Sequence, residues 1–393
     1  AFMTMATIAT AAFVLTLPAI WNGSPFFYWD SVDYIHLSFS WDLPVYRTMP
    51  YGLFTGISRP LGTLWTVAVV QALLAAFMLY ETLAVFTPGA ERRLLLPVCL
   101  PLLLLTSLPW MAGQIMPDAF SGLVVLGIIT LAFSDKGLPR RMCVAGVLVL
   151  ATTLHTTHIA VGSGLIVVLA GFGWWFRNRW PTIRPRVLLP LLSLAVGILS
   201  IAAIHWVTVG RPFVTQPSAV LWLGRLVQDG IAQRFLDDNC KRGDEYKLCK
   251  LSGKLPKTAN SFLWDWGGAP LQIYGSWQKM RPEARRIVEK TLRDYPWLHA
   301  KAAAQLTYEQ LTRFKTGDGL ENKMAWLLKD VLQKYYPSDR APWLASQQMS
   351  KAGINFQMIN KLQVPVLGLA QLLIVGLAII AYRRRDRLTF LFA

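Results

Sequence analysis

The sequence predicts an all-α polytopic membrane protein, with about eight transmembrane helices and a mostly helical outward domain inserted before the last span. Three observations predict it. Of 393 residues, 54% are hydrophobic and only 16% charged, where a soluble chain carries about a quarter charged. The charges are also grouped: scarce before residue 210, dense from 225 to 340, and scarce again until a basic cluster at 383–387. Finally, basic residues fall in every second gap between the apolar runs, as the positive-inside rule requires.

A spanning helix needs about 20 mostly apolar residues. Segments 3–20, 61–86, 94–110, 118–134, 142–156, 158–176, 187–209 and 363–382 qualify, the third to fifth being short. Arg92 and Arg93, then Lys136, Arg140 and Arg141, then Arg177, Arg179, Arg184 and Arg186, and finally Arg383, Arg384, Arg385 and Arg387 mark one side. The opposite gaps before residue 210 hold only Arg47 and Arg59. Both ends are therefore expected in the cytoplasm, with the loop 21–60, the turns 110–118 and 155–158, and the domain 210–361 outside.

Three regions follow: a transmembrane module 1–209 containing outer loop 21–60, a domain 210–361, and a last helix with its basic end, 362–393. The first segment is longer than a signal-peptide core and lacks a small-residue cleavage pattern. It opens without Met, so a few further residues are expected before it, and the closing LTFLFA reads as the start of another span. In the polar domain, RPEARRIVEKTLRDYP, WLHAKAAAQLTYEQLTRF and LENKMAWLLKDVLQKYY have helical apolar spacing, while the Gly-, Pro- and Trp-rich 250–280 is expected to be irregular.

The net charge of +17 does not indicate nucleic acid. That partner needs a solvated basic face with stacking aromatics, whereas many of these arginines punctuate apolar runs, where they set topology and meet anionic lipid headgroups. Cys99 and Cys143 lie in apolar segments and read as small hydrophobes. Cys240 and Cys249 close a short polar loop, which in an oxidising compartment reads as a disulfide.

The outer loop WNGSPFFYWDSVDYIHLSFSWDLPVYRTMPYGLFTG is too long for a simple connection and carries Asp30, Asp33, His36, Asp42 and Arg47 among many aromatics. Helical spacing from Asp30 to Phe39 predicts a helix on the membrane surface, with Asp30 and Asp33 one turn apart. Either is a general base or an acceptor- or metal-binding carboxylate, or Asp30 is an N-terminal helix charge and Asp33 a solvated residue. Asp118, opening the fourth apolar segment, is a second carboxylate or a simple N-cap.

Two carboxylates meeting in one outward cavity would suit glycosyl transfer, one deprotonating an acceptor hydroxyl and the other orienting it or holding a divalent cation. His155 and His158 in LHTTH are close enough to share a metal, but without a third ligand nearby they suit a phosphate or carboxylate partner better. His205, near the outward end of its span, could join them. Arg47, Arg59 and Arg211 are the outward arginines nearest the membrane and suit either a lipid-linked phosphate or ordinary headgroups.

YWDSVDYI after the first span, RTMPYGLFTG before the second and MPDAF before the fourth together resemble the GT-C superfamily of integral-membrane glycosyltransferases. The likeness is to bacterial members related to protein O-mannosyltransferases and aminoarabinose transferases. It covers residues 1–209 in topology and some thirty residues in motif, and departs from the family where Gly52 follows Tyr51 and Met49 precedes Pro50. The resemblance implies a bacterial inner-membrane enzyme with a periplasmic 210–361 domain. It further implies a polyprenyl-phosphate sugar donor and a glycolipid, polysaccharide or protein acceptor.

On that basis Asp30, with Asp33 as the alternative, and Asp118 would be catalytic. Arg47, Arg59, His155, His158 and Arg211 would serve the donor phosphate, and Asp30 and Asp118 would hold Mg²⁺ or Mn²⁺ if either takes part. Competing classes are a non-catalytic subunit whose outer domain binds a partner, a lipid transporter, for which Glu81 is the main charge within a span, and a zinc-dependent lipid-modifying transferase. The last needs a rich metal-ligand set, and the outer domain has the single histidine His299.

Overall fold

The computed structural model describes residues 2–177, 185–240, 246–265, 267–322 and 325–384. These are helical without a strand, the one extended pairing being an isolated parallel bridge between Phe26 and Gln114. Among the described residues, five helices are long and apolar enough to cross a membrane: α1 (Phe2–Asn22), α4 (Trp65–Phe86), α9 (Thr157–Trp175), α10 (Leu188–Val209) and α19 (Phe356–Arg384).

Three other apolar stretches form shorter helices, α5 (Glu91–Leu105), α7 (Ser121–Phe133) and α8 (Leu138–Leu154), of 15, 13 and 17 residues. Each falls short for a local reason. α5 contains Pro97 and Pro101 and gives way to the separate α6 (Leu108–Ala112). α7 begins only after a 3₁₀ turn over Pro117–Phe120. α8 carries Arg140 and Arg141 in its first turn.

The chain forms two compact units, residues 1–43, 48–214 and 314–393 in one and residues 44–47 and 215–313 in the other. Residues 314–361, read from sequence as part of the polar domain, thus belong to the first unit. So do α17 (Ala325–Tyr335) and α18 (Pro337–Leu344).

In the first unit α1 packs on α4 and α5. Ala11, Ala12, Ala72, Ala75 and Ala76 are all buried there, and small residues let helices approach closely where lipid gives no hydrophobic drive. α8 meets α10 at Gly197, where an added Cβ would lie 2.7 Å from the Thr152 Cβ. By contrast α19 leaves Leu369, Leu372 and Leu373 more than half exposed, the surface that lipid would cover.

α17 and α18 bury Leu328, Leu332, Tyr336 and Trp343 against Ile35 of α2 (Ser31–Leu37) and Phe27. There the buried Asp339 carboxylate accepts hydrogen bonds from the Leu64 N–H and the Thr63 hydroxyl, both 2.7 Å, at the start of α4. Burial raises the Asp339 pKa, and those two bonds oppose the rise.

The second unit is built on α11 (Ser218–Gln228), α12 (Ile231–Asn239) and α15 (Trp277–Asp294), whose apolar faces bury Leu223, Phe235 and Ile287. Buried Glu283 accepts from the Lys247 and Leu248 N–H groups and the Tyr274 hydroxyl. These bonds tie the 3₁₀ turn Lys247–Leu251 and α14 (Ala269–Tyr274) to α15. Cys240 and Cys249 form a disulfide, their Cα atoms 5.5 Å apart. The stretch expected to be irregular instead contains α13 (Ala259–Trp264), α14 and the opening of α15. Thr258 caps α13 and Ser276 caps α15, each accepting a bond from the N–H three residues on.

Candidate functional site

Asp30 precedes α2 at its N-cap and makes no capping hydrogen bond there. Its neighbours are locked in place: Ser31 Oγ donates to the Ile115 carbonyl at 2.8 Å and accepts from the Tyr28 N–H at 2.9 Å. That ties the loop holding Asp30 to the turn that leads to Asp118. Asp118 itself stands in the 3₁₀ turn Pro117–Phe120, where Pro117 at the first position starts the turn without losing a needed donor. His155 ends α8 in extended backbone and bonds through Nδ1 to Thr157 Oγ1 at 2.5 Å.

These residues come from three connections far apart in sequence, and Asp30, Asp118 and His155 line one cavity of about 420 Å³. Ligand sites of this kind run from about 300 to 1,000 Å³. Trp110, Met111, Met116 and Leu320 give the cavity an apolar side, while Tyr28, Ser107 and Gln114 add polar groups.

Its geometry rests on two neutral amides buried in membrane-length helices. Gln71 of α4 donates to the carbonyls of Ala112 and Gln114, at 3.0 and 2.8 Å, and accepts from the Tyr51 hydroxyl at 2.7 Å. Burial holds the Tyr51 phenol well above its ordinary pKa, Tyr34 and then Asp118 adding to the effect, so it stays a neutral donor. Gln363 of α19 accepts from Thr316 Oγ1 and donates to the carbonyls of Leu104 and Thr106, joining the Thr316 wall to the segment before Ser107.

The remaining wall is Lys315-Thr316-Gly317-Asp318, a stretch that the sequence reading passed over. Gly317 and Gly319 have φ of 95° and 72°, left-handed conformations that glycine alone adopts readily. A Cβ on Gly317 would overlap the Phe356 ring and one on Gly319 the Tyr28 ring. The sequence signal was present: two glycines flanking an aspartate, beginning two residues after a lysine, between two helical stretches.

The other singled-out residues lie outside the lining. Asp33 is half-buried in the first turn of α2. His158 is fully buried, its Nδ1–H donating to the Ala151 carbonyl at 2.6 Å and its Nε2 paired with Ser121 Oγ at 3.0 Å. With both nitrogens engaged, it supports the turn rather than facing a ligand. Arg59 sits over the Phe39 ring and donates to the Ser38 carbonyl. Arg47 belongs to the second unit, over the Tyr46 and Trp264 rings. Arg211 is exposed in the turn after α10. His205 accepts from the Met49 N–H and donates to the Phe213 carbonyl.

Glu81, the main acidic residue within a predicted span, is ion-paired with Arg140 at 2.6 Å. Among the described residues no group of three or more His, Cys, Asp or Glu side chains is arranged to hold a metal.

The fold and cavity together define a helical protein of membrane-spanning composition with an acid-rich pocket. Comparison with protein-family models, curated proteins and solved structures finds no match to the chain.

Proposed function

We propose that the chain is a GT-C-like glycosyltransferase that moves a sugar from a polyprenyl-phosphate carrier to an acceptor on the outer face of a bacterial cytoplasmic membrane. In this reading the eight apolar segments all cross the bilayer, the short ones as tilted or compressed spans. One observation carries it: Asp30, Asp118 and His155, from three successive connections assigned outward by the charge pattern, line one cavity. A non-catalytic subunit would not need them to converge, and the Glu81–Arg140 pair removes the main charge on which a transporter would depend.

The chemistry balances simply. An acceptor hydroxyl attacks the anomeric carbon while a carboxylate, Asp30 or Asp118, takes its proton. The bond from that carbon to the phosphate oxygen breaks, and polyprenyl phosphate leaves with the electron pair. The second carboxylate orients the acceptor or the sugar hydroxyls. If Mg²⁺ or Mn²⁺ takes part, Asp30 and Asp118 are the side chains that would share it with the substrate. A lipid-linked donor suits an outward site, since nucleotide sugars stay in the cytoplasm.

The test is turnover of a panel of synthetic polyprenyl-phosphate sugars by the full chain in lipid nanodiscs, with and without divalent cation, against glycolipid, polysaccharide and peptide acceptors. Asp30→Asn and Asp118→Asn should each lower turnover by about 10²-fold or more while leaving the protein folded. No consumption of any donor, or unchanged turnover in both variants, would sink the proposal.

A further inference from the structure

A phosphate in the cavity needs a cation, and of the phosphate partners expected from the sequence only His155 is in its lining. Arg59 is held by Phe39 and Ser38, Arg211 is exposed after α10, and the buried His158 is engaged at both nitrogens. Arg47 lies in the other compact unit. Among the described lining residues, the only Lys or Arg is Lys315. Its ammonium has no hydrogen-bond or ion-pair partner among the described residues, nor do the carboxylates of Asp118 and Asp318.

The loop bearing Lys315 is built in detail. The Thr316 N–H donates to Asn360 Oδ1 at 2.8 Å and Asn360 Nδ2 returns a bond to the Thr316 carbonyl at 3.0 Å. The Thr316 hydroxyl is bonded to Gln363, and Gly317 and Gly319 lie flat under Phe356 and Tyr28. Lys315 is exposed, but the backbone that carries it is fixed by these contacts. A lysine that must meet an anion at a fixed place needs such an anchor.

We propose that Lys315 is the seat of the donor's phosphate, a phosphate ester carried on an amphiphile, with the aspartates left to face sugar and acceptor. Lys315 offsets the repulsion that Asp30, Asp118 and Asp318, which line the same cavity, would exert on a phosphate. The assignment to a sugar donor rests on the transferase reading; the phosphate seat itself does not.

The experiment is equilibrium binding of a short-chain polyprenyl monophosphate to the full chain in uncharged phosphatidylcholine nanodiscs, followed by tryptophan fluorescence, since Trp110 lines the cavity. Lys315→Ala should weaken binding by roughly tenfold or more, and Lys315→Arg should keep it within about threefold. Lys315→Gln serves as the uncharged variant if the alanine form does not fold. Gly319→Ala should also weaken binding, with the lysine still present.

Four results would overturn the proposal: unchanged affinity in the uncharged variants, equal affinity for uncharged polyprenol, equal affinity for inorganic phosphate, or binding that needs Mg²⁺ and ignores Lys315. Lys315-dependent binding without sugar transfer would sink the transferase reading alone. Transfer that survives Lys315→Gln unchanged would sink this inference alone.

Discussion

Gln71 makes three hydrogen bonds inside a helix that hydropathy reads only as apolar. It supports the cavity indirectly, by holding the carbonyls that shape the turn before Asp118. Gln71→Leu removes both donors and strands the Tyr51 hydroxyl, so it should cost about 3 kcal/mol, against about 1 kcal/mol for Tyr51→Phe. Thermal unfolding in detergent should therefore rank Gln71→Leu well below Tyr51→Phe, and equal melting temperatures would contradict the network. At this scale legibility divided by charge. Asp30, Asp118 and His155 stood out because ionisable groups at the ends of apolar runs are conspicuous. Gln71 and Gln363 did not, since a neutral amide barely moves a hydropathy average. In the His155–His158 pair, spacing could not say which ring faces the cavity and which is spent on Ser121 and Ala151.

Elements of about 20 uninterrupted apolar residues were readable to within a few positions: 187–209 is α10 at Leu188–Val209, and 61–86 is α4 at Trp65–Phe86. The shorter ones were blurred by proline, which can end a helix without ending an apolar run, and by basic first turns, which end an apolar run without ending the helix. The Lys315 loop was hidden for the opposite reason, its residues lying among helix-forming polar ones. The contact between α8 and α10 depends on Gly197 having no side chain. Gly197→Leu should push Thr152 and the Val149 carbonyl away and cost about 2 kcal/mol. Gly164, with open space around its Cβ position, is the control: Gly164→Leu should melt close to the parent, and a similar loss at both positions would point to backbone preference rather than packing.

For the molecule as a whole, the charge pattern makes a prediction that a cavity cannot. If Arg92 and Arg93 face the cytoplasm and the Lys315 loop faces outward, the two must react from opposite sides of a sealed membrane. In a Cys143→Ser background, Asp318→Cys should be modified in intact cells by a membrane-impermeant maleimide, and Arg93→Cys only after permeabilisation. Equal labelling of both in intact cells would break the topology, and the transferase reading with it. The boundary of the second unit was the least legible feature at this scale. Residues 314–361 have the polar composition of 215–313, and it is contacts such as the burial of Leu328, Tyr336 and Trp343 against Phe27 and Ile35 that assign them to the first unit.

Gln348 closes that assignment with a consequence for synthesis. Its buried side chain accepts from the Phe27 N–H and donates to the Phe27 carbonyl, 321 residues away, and its own N–H bonds to Asn22. A ribosome adding about 5–20 residues per second reaches residue 348 roughly 15–65 s after residue 27. Throughout that interval the segment that positions Asp30 has no partner for two backbone groups that end up sealed from water. The first loop to leave the ribosome is thus among the last to acquire its shape, and until then its aromatic residues are a liability for misassembly that the cell must cover.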